Sequence, residues 1–300
     1  MYRQARSELS TLRDLIRFAV SRFSEAKLFF GHGTDNAWDE AIYLLLHALH
    51  LPHDRFNDFI DARLVEDERE RALKIIERRV VERLPAAYLT KEAWIGDYRF
   101  FVDERAIIPR SHIGELLHEQ LAPWVNDPWA IHNILDLCTG SGCLAIIATL
   151  AFPEARVDAV DISEDALAIA RENVKGYKLK KRMELIRSDL FSALDSKKYD
   201  LIIANPPYVD AETMASLPQE YLREPEIALA GGDDGLKYIR IIVENAAKHL
   251  KPKGLLVVEA GNNFDAMENA YPNTPFIWLD TAAGSRSVFL LKREDLPSKS

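Results

Sequence analysis

The chain has 300 residues and only two cysteines, Cys138 and Cys143. Two thiols are too few for a disulfide framework, and their spacing is not that of a zinc site, so both read as reduced structural thiols. Long apolar runs are also missing. The longest stretches, such as Leu144 to Phe152 and Ile239 to Val243, fall well short of the roughly 18 residues a membrane span needs, and no span is expected. The opening residues Met1-Tyr2-Arg3-Gln4-Ala5-Arg6-Ser7-Glu8 lack the apolar stretch and cleavage site of a signal peptide, which predicts a cytoplasmic location. There is no internal repeat or low-complexity segment. An excess of positive charge is absent as well. The net charge of −9 argues against a protein whose main task is gripping phosphate backbones, and it suits a basic protein partner. The local run Lys178-Leu179-Lys180-Lys181-Arg182 reads as a solvated turn between a helix and a strand.

What is present can build a full core: 48% of the residues are hydrophobic, and the length allows a catalytic domain plus a smaller one. Residues 1–85 read as a helical domain. Leu9, Leu12, Ile16, Ala19, Val20 and Phe23 recur at helical spacing, as do Ile42, Leu45, Leu46 and Leu49. A charged third helix runs from Glu66 to Leu84 on a stripe of Leu73, Ile76, Val80 and Leu84, closed by Pro85. In the loop from Phe30 to Glu40, Thr34, Asp35 or Asn36 can cap the next helix. Residues 86–110 read as a β-hairpin connector, with β-prone segments Trp94-Ile95, Tyr98 to Val102 and Ala106-Ile107-Ile108. Ser111 can cap a helix from His112 to Trp124.

Residues 111–300 form the expected catalytic domain, alternating strand and helix. Strand candidates are Ile131 to Leu137, Arg156 to Val160, Met183 to Ile186, Leu201 to Ala204, Leu255 to Val258, Phe276 to Leu279 and Val288 to Leu291. Helices join the first five, the signature of a doubly wound, largely parallel α/β sheet. The short link Asp280 to Arg286 makes the final pair antiparallel.

The carboxyl ends of these strands, where open α/β sheets bind ligands, carry the chemistry. Asp136-Leu137-Cys138-Thr139-Gly140-Ser141-Gly142 joins a strand to a helix, and its glycines allow a sharp turn and a close backbone approach to a ligand. Asp161 ends the second strand, where such folds place an acceptor for ribose hydroxyls. Asp189 ends the third and can meet an adenine amino group, with Leu190 beside it and Phe191 packing on the ring. Each aspartate taken singly reads equally well as a helix cap; together they predict a nucleotide cofactor. The fourth strand runs into Asn205-Pro206-Pro207-Tyr208. Two prolines fix φ and remove two N–H donors, which leaves the Asn205 side-chain oxygen and the Pro206 carbonyl free as acceptors. An amide nitrogen is a poor nucleophile because its lone pair is delocalised. Acceptors gripping its N–H bonds can hold it in line with a sulfonium methyl, with Tyr208 stacked on the planar group. The bland alternative for this tetrapeptide is a turn ending a strand. No metal site is expected.

These segments resemble class I S-adenosyl-L-methionine-dependent methyltransferases that modify planar amino groups, and more closely the glutamine methyltransferases acting on translation proteins. The similarity spans nearly the whole chain. It implies a Rossmann-like, mostly parallel seven-stranded sheet with an N-terminal helical domain. Since the catalytic half already accounts for the cofactor, that domain reads as a candidate for substrate recognition, with a structural cap as the alternative. The resemblance also implies S-adenosyl-L-methionine contacts at Asp136, Thr139, Gly140, Ser141, Gly142 and Asn205, and catalysis at Asn205, Pro206, Pro207 and Tyr208. Cys138 stands at the first glycine of the usual Gly-x-Gly-x-Gly loop. Phe30 to Ala41 and Ile113-Gly114-Glu115-Leu116 look like the branch acting on the third protein of the large ribosomal subunit. His112 departs from that branch, where proline is expected. The sister branch, acting on release factors, follows Ile-Pro-Arg with Pro-Asp-Thr-Glu, whereas Arg110 here is followed by Ser111-His112-Ile113. Competing readings are the release-factor enzyme, a DNA adenine methyltransferase, and an inactive fold serving ribosome assembly. The acidic charge and the lack of a separate recognition domain speak against DNA binding. The sequence leaves the oligomeric state open.

Overall fold

In the computed structural model, which describes residues 1–282 and 284–297, the apolar stripes near the N-terminus become helices. These are α1 (Tyr2–Glu8), α2 (Leu12–Glu25), α3 (Ala37–Leu49), α4 (Phe56–Phe59), α5 (Glu66–Val81) and α6 (Ala86–Thr90). Thr11 opens α2 through a reciprocal capping box with Asp14. Of the candidate caps in the following loop, Asn36 takes the position and accepts from the N–H groups of Trp38 and Asp39. Leu12, Leu15, Ile16, Leu44, Leu45 and Ile76 share one buried core. This helical unit comprises Met1–Ala93 and also the distant segment Pro218–Arg223.

The segment is held there by charge. Arg79 and Glu40, each 1% exposed, pair at 2.6 Å, and Arg83 donates to Glu220 at 2.7 Å. Arg79 also donates to the Phe29 carbonyl at 3.0 Å, while the Thr34 hydroxyl donates to Glu40 at 3.0 Å. The His32 ring lies 4.3 Å from that of Tyr221. The loop that the sequence marks as distinctive is therefore wrapped around a buried guanidinium.

The second unit comprises Trp94–Leu217 and Glu224–Ser300. The hairpin of β1 (Glu92–Ile95) and β2 (Tyr98–Phe101) lies where the chain passes from the first unit to the second. Ala106-Ile107-Ile108 forms no strand. Pro109 has no N–H to give a ladder, and the Ile108 carbonyl accepts from Arg110 at 3.2 Å. The helix expected to reach Trp124 is shorter: α7 is Ile113–His118, because Gln120 and Leu121 take φ of 55° and 57° just before Pro123.

There follow β3 (Asn133–Leu137), α8 (Cys143–Ala151), β4 (Arg156–Asp161), α9 (Glu164–Gly176), β5 (Met183–Arg187) and β6 (Tyr199–Ala204). The chain continues with α10 (Ala211–Ser216), α11 (Lys237–His249), β7 (Leu250–Glu259), α12 (Phe264–Ala270), β8 (Ile277–Thr281) and β9 (Gly284–Lys292). The seven predicted strands form one sheet, ordered β5-β4-β3-β6-β7-β9-β8. Its first four pairings are parallel, and β9 runs antiparallel to both β7 and β8. Ala283, in the predicted last link, lies outside the described residues. Alternate residues of each strand serve opposite faces. Ile134, Leu201, Ile203 and Val257 pack with α8 on one side; Leu135, Leu137, Ile202 and Val258 pack with α11 on the other.

The buried Arg79–Glu40 pair makes a prediction. Arg79→Met keeps the side-chain volume but strands Glu40 and is expected to destabilise the helical unit by about 3–5 kcal/mol, as read by denaturant unfolding.

Candidate active site

In this strand order the chain reverses direction across the sheet between β3 and β6, and the loops at their carboxyl ends diverge. Such switch points leave a crevice. A cavity of about 210 Å³ occupies it, lined by Gly140, Asp161, Asp189, Leu190, Asn205 and Pro207 among others. Residues expected from sequence to act together thus converge from the ends of β3, β4, β5 and β6.

The loop after β3 is set by hydrogen bonds. Cys138 adopts φ +57° and Gly140 φ +54°, backbone that glycine takes freely and cysteine only with support. That support is local. The Thr139 N–H donates to Val160 O at 2.9 Å, and the Gly140 N–H donates to Asp161 Oδ2 at 2.8 Å. Asn173 on α9 donates to Ser141 O and to Phe101 O, both at 2.9 Å. Gly142 opens α8 at φ +80°, where a Cβ would come within 3.1 Å of Ala170. A side chain at 142 would be strained at that φ and would crowd Ala170 on α9.

Asp136, Thr139, Ser141 and Gly142 do not line the cavity; they build the turn behind it. Asp136 is fully buried. Its Oδ2 accepts from the Thr139 hydroxyl at 2.5 Å and the Ala145 N–H at 3.1 Å. Its Oδ1 has no hydrogen-bond partner among the described residues. Burial pushes this carboxyl up to about 7. Burial, with the Asp161, Asp136 and Asp189 carboxylates nearby, holds the Cys138 thiol far above its usual range, so it stays protonated and is no nucleophile. Asp161 is raised by burial, with N–H groups of Ser163 and Gly140 opposing.

Asn205 and Pro207 face the cavity, and among the described residues the Asn205 side chain and the Pro206 carbonyl accept no hydrogen bond. Pro206 is buried and Tyr208 half-buried. Tyr208 does not line the cavity; its hydroxyl faces Glu259 Oε1 at 3.3 Å. Phe191 is placed differently from its predicted adenine contact. It stacks on His249 with centroids 4.6 Å apart and planes 13° apart, and it is not a lining residue.

Sequence reading missed several participants. Ile107, from the segment read as a strand, lines the cavity, as do Ile227 and Ile241. Arg110 binds the buried Glu224 through two contacts of 2.6 and 2.8 Å. Glu259 ends β7, so the signal that singled out Asp161 and Asp189, an acid closing an apolar strand, applied to it equally.

A family model described as the methyltransferase small domain matches residues 115–233. The chain is 57% identical to the ribosomal protein uL3 glutamine methyltransferase of Neisseria gonorrhoeae over 99% of both chains. It is 58% identical to that of Neisseria meningitidis serogroup B, covering 99% of this chain and 97% of the relative. Identity to the Bordetella pertussis protein of the same name is 55% over 99% of both.

The Asp136 carboxyl predicts a pH dependence. Below the usual 3.8, folded and unfolded chains are both protonated there. Between 3.8 and about 7 the unfolded chain ionises first, so this group's contribution falls as pH rises, and the loss is complete above about 7. Asp136→Asn keeps an acceptor for Thr139 and Ala145. Its stability relative to wild type is expected to rise across that window, by at most about 1.4 kcal/mol per pH unit, measured by urea unfolding of the ligand-free protein.

Proposed function

Because the chain belongs to the family of ribosomal protein uL3 glutamine methyltransferases, we propose that it methylates the side-chain amide nitrogen of a glutamine in uL3, with S-adenosyl-L-methionine as donor. A cytoplasmic location goes with that substrate. The observation that carries the chemistry is Asn205 at the cavity wall, with its side chain and the Pro206 carbonyl unused at a sheet switch point.

The residues fit the cofactor. Asp161 and Asp189 line the cavity from adjacent strands and offer carboxylate acceptors for ribose hydroxyls and the adenine amino group. Apolar Leu190, Ile162 and Val160 line it beside them and suit a flat base. Cys138 and Gly140 line the cavity from the loop after β3, so the backbone there can approach a ligand closely. S-adenosyl-L-methionine, when bound, supplies an electrophilic methyl on a sulfonium. Asn205 and Pro206 accept from the two amide N–H bonds and fix the nitrogen's lone pair toward that methyl. Pro206 and Pro207 keep these acceptors from being drawn into a ladder. No side-chain base is needed, since the surplus proton leaves to water after transfer. We assign the helical unit to recognition of the protein substrate, since the second unit already accounts for the cofactor.

The test incubates purified protein and methyl-labelled cofactor with uL3, a release factor or duplex DNA. Label is expected in uL3 alone, on a glutamine identified by mass spectrometry; label in the release factor instead would move the chain to the sister activity. Asn205→Ala is expected to change cofactor affinity by less than about tenfold while kcat falls on the order of a hundredfold or more. Unchanged turnover would remove Asn205 from the chemistry.

A further inference from the structure

Glu259 is 3% exposed at the end of β7. A buried carboxylate is tolerated only where hydrogen bonds replace its water. Its Oε2 accepts from the Ser111 hydroxyl at 2.5 Å and from the His112 N–H at 3.0 Å. Its Oε1 faces the Tyr208 hydroxyl, which donates at 3.3 Å. One carboxylate therefore joins the segment after Ile107-Ile108-Pro109-Arg110 to the last residue of Asn205-Pro206-Pro207-Tyr208.

The five residues that begin with Glu259 hold Tyr208 at three points. The Asn263 side-chain amide donates to the Tyr208 carbonyl at 2.7 Å. A Cβ on Gly261 would fall 2.4 Å from Tyr208 Cε2, so the missing side chain is what admits the ring edge. Glu259 restrains the hydroxyl end. The opposite side is equally close: a Cβ on Gly231 would lie 2.8 Å from Tyr208 Cα, and one on Gly235 2.5 Å from its carbonyl oxygen. A cap for the turn at Ser111 would need the Oε2 contacts alone. It gives no reason for Oε1 to point at a residue of the motif.

We infer that Glu259 is a positioning residue for Tyr208, fixing the ring through its hydroxyl and tying it to Ser111, so that the neighbouring Asn205 and Pro206 acceptors keep their aim. The role rests on the methyltransferase reading above. Glu259 does not line the cavity, so its effect belongs in kcat rather than in cofactor binding.

A double-mutant cycle on the full chain tests this, with kcat, KM for uL3 and calorimetric cofactor Kd measured for Glu259→Gln, Tyr208→Phe and the double variant. Each single variant is expected to lower kcat about tenfold or more, since small misplacements near reacting atoms have large effects. Cofactor Kd should stay within about twofold, and the double variant should fall no further than the worse single one, because both remove the same contact. If Glu259→Gln lowers the melting temperature enough to obscure its kinetics, the cycle is run between Tyr208→Phe and Ser111→Ala, which meet through Glu259, and the same sub-additive loss is expected. Wild-type kcat in Glu259→Gln or Tyr208→Phe, or fully additive losses in either cycle, would overturn the assignment. Wild-type protein that leaves uL3 unmethylated refutes the parent reading and this assignment together, whereas active wild type with unaffected variants refutes the assignment alone.

Discussion

Two parallel strands cannot be joined by a tight turn, because the chain must return over a face of the sheet before it can pair again. That constraint organises the second unit. From β3 the chain crosses through α8 to β4 and through α9 to β5, moving outward on one side; it then returns to place β6 against the other edge of β3. Loops leaving β3 and β6 therefore part company, and the cavity lies where they do. The polar groups of the site thereby cluster at the ends of the parallel strands. The loop after β3, Asp161 at the end of β4, Asp189 after β5, Asn205 after β6 and Glu259 at the end of β7 are all products of that single rule.

Those positions are rich in carboxylates, which raises the question of how so much negative charge is accommodated with little water. The answer is backbone and hydroxyl donors. Asp136 is served by Thr139 and Ala145, Asp161 by Gly140 and Ser163, and Glu259 by Ser111, His112 and Tyr208. Each set fixes a loop as well as satisfying an acid, so charge burial and loop geometry are one arrangement. The helical unit solves the same problem with guanidinium groups. Arg79 and Arg83 neutralise Glu40 and Glu220, and in doing so they secure both the Phe29 carbonyl and a segment from far along the chain.

How far the sequence discloses this depends on the range of the interaction that decides each feature. Short apolar runs and strand-end acids are local, so all seven strands of the sheet and the positions of Asp161, Asp189 and Asn205 were legible. The largely parallel pairing was legible too, since it follows from helices between strands; the strand order was not. Features decided by distant partners were not. Phe191 reads as a base-stacking ring until α11 delivers His249 beside it. Ala106 to Ile108 has β propensity, yet it has no strand to pair with and runs into Pro109. Helix α7 stops early because Gln120 and Leu121 turn left-handed, a conformation that neither residue type advertises. Assignment of Pro218–Arg223 to the helical unit rests on Glu220 and Tyr221 meeting residues from the other end of the chain. Glu259 is the exception: its signal was local, and it went unread because no cofactor role is attached to the fifth strand end.

The chemistry proposed for the site explains why it is built from acceptors rather than bases. An amide nitrogen carries no proton that a carboxylate of ordinary strength could remove before bond formation, so a carboxylate base would gain little, and a raised acid such as Asp136 sits behind the loop instead of at the cavity wall. What raises the nitrogen's reactivity is fixed direction: two acceptors that grip its N–H bonds and do not move. Prolines supply that rigidity cheaply, since their φ is already set before folding. A protonated Cys138 adds no competing nucleophile. The segment is also held from behind, through contacts at Tyr208. The Asn263 amide holds its carbonyl, the missing side chain at Gly261 admits its ring, and Glu259 faces its hydroxyl. A site that depends on aim rather than on proton transfer needs its second layer as much as its first.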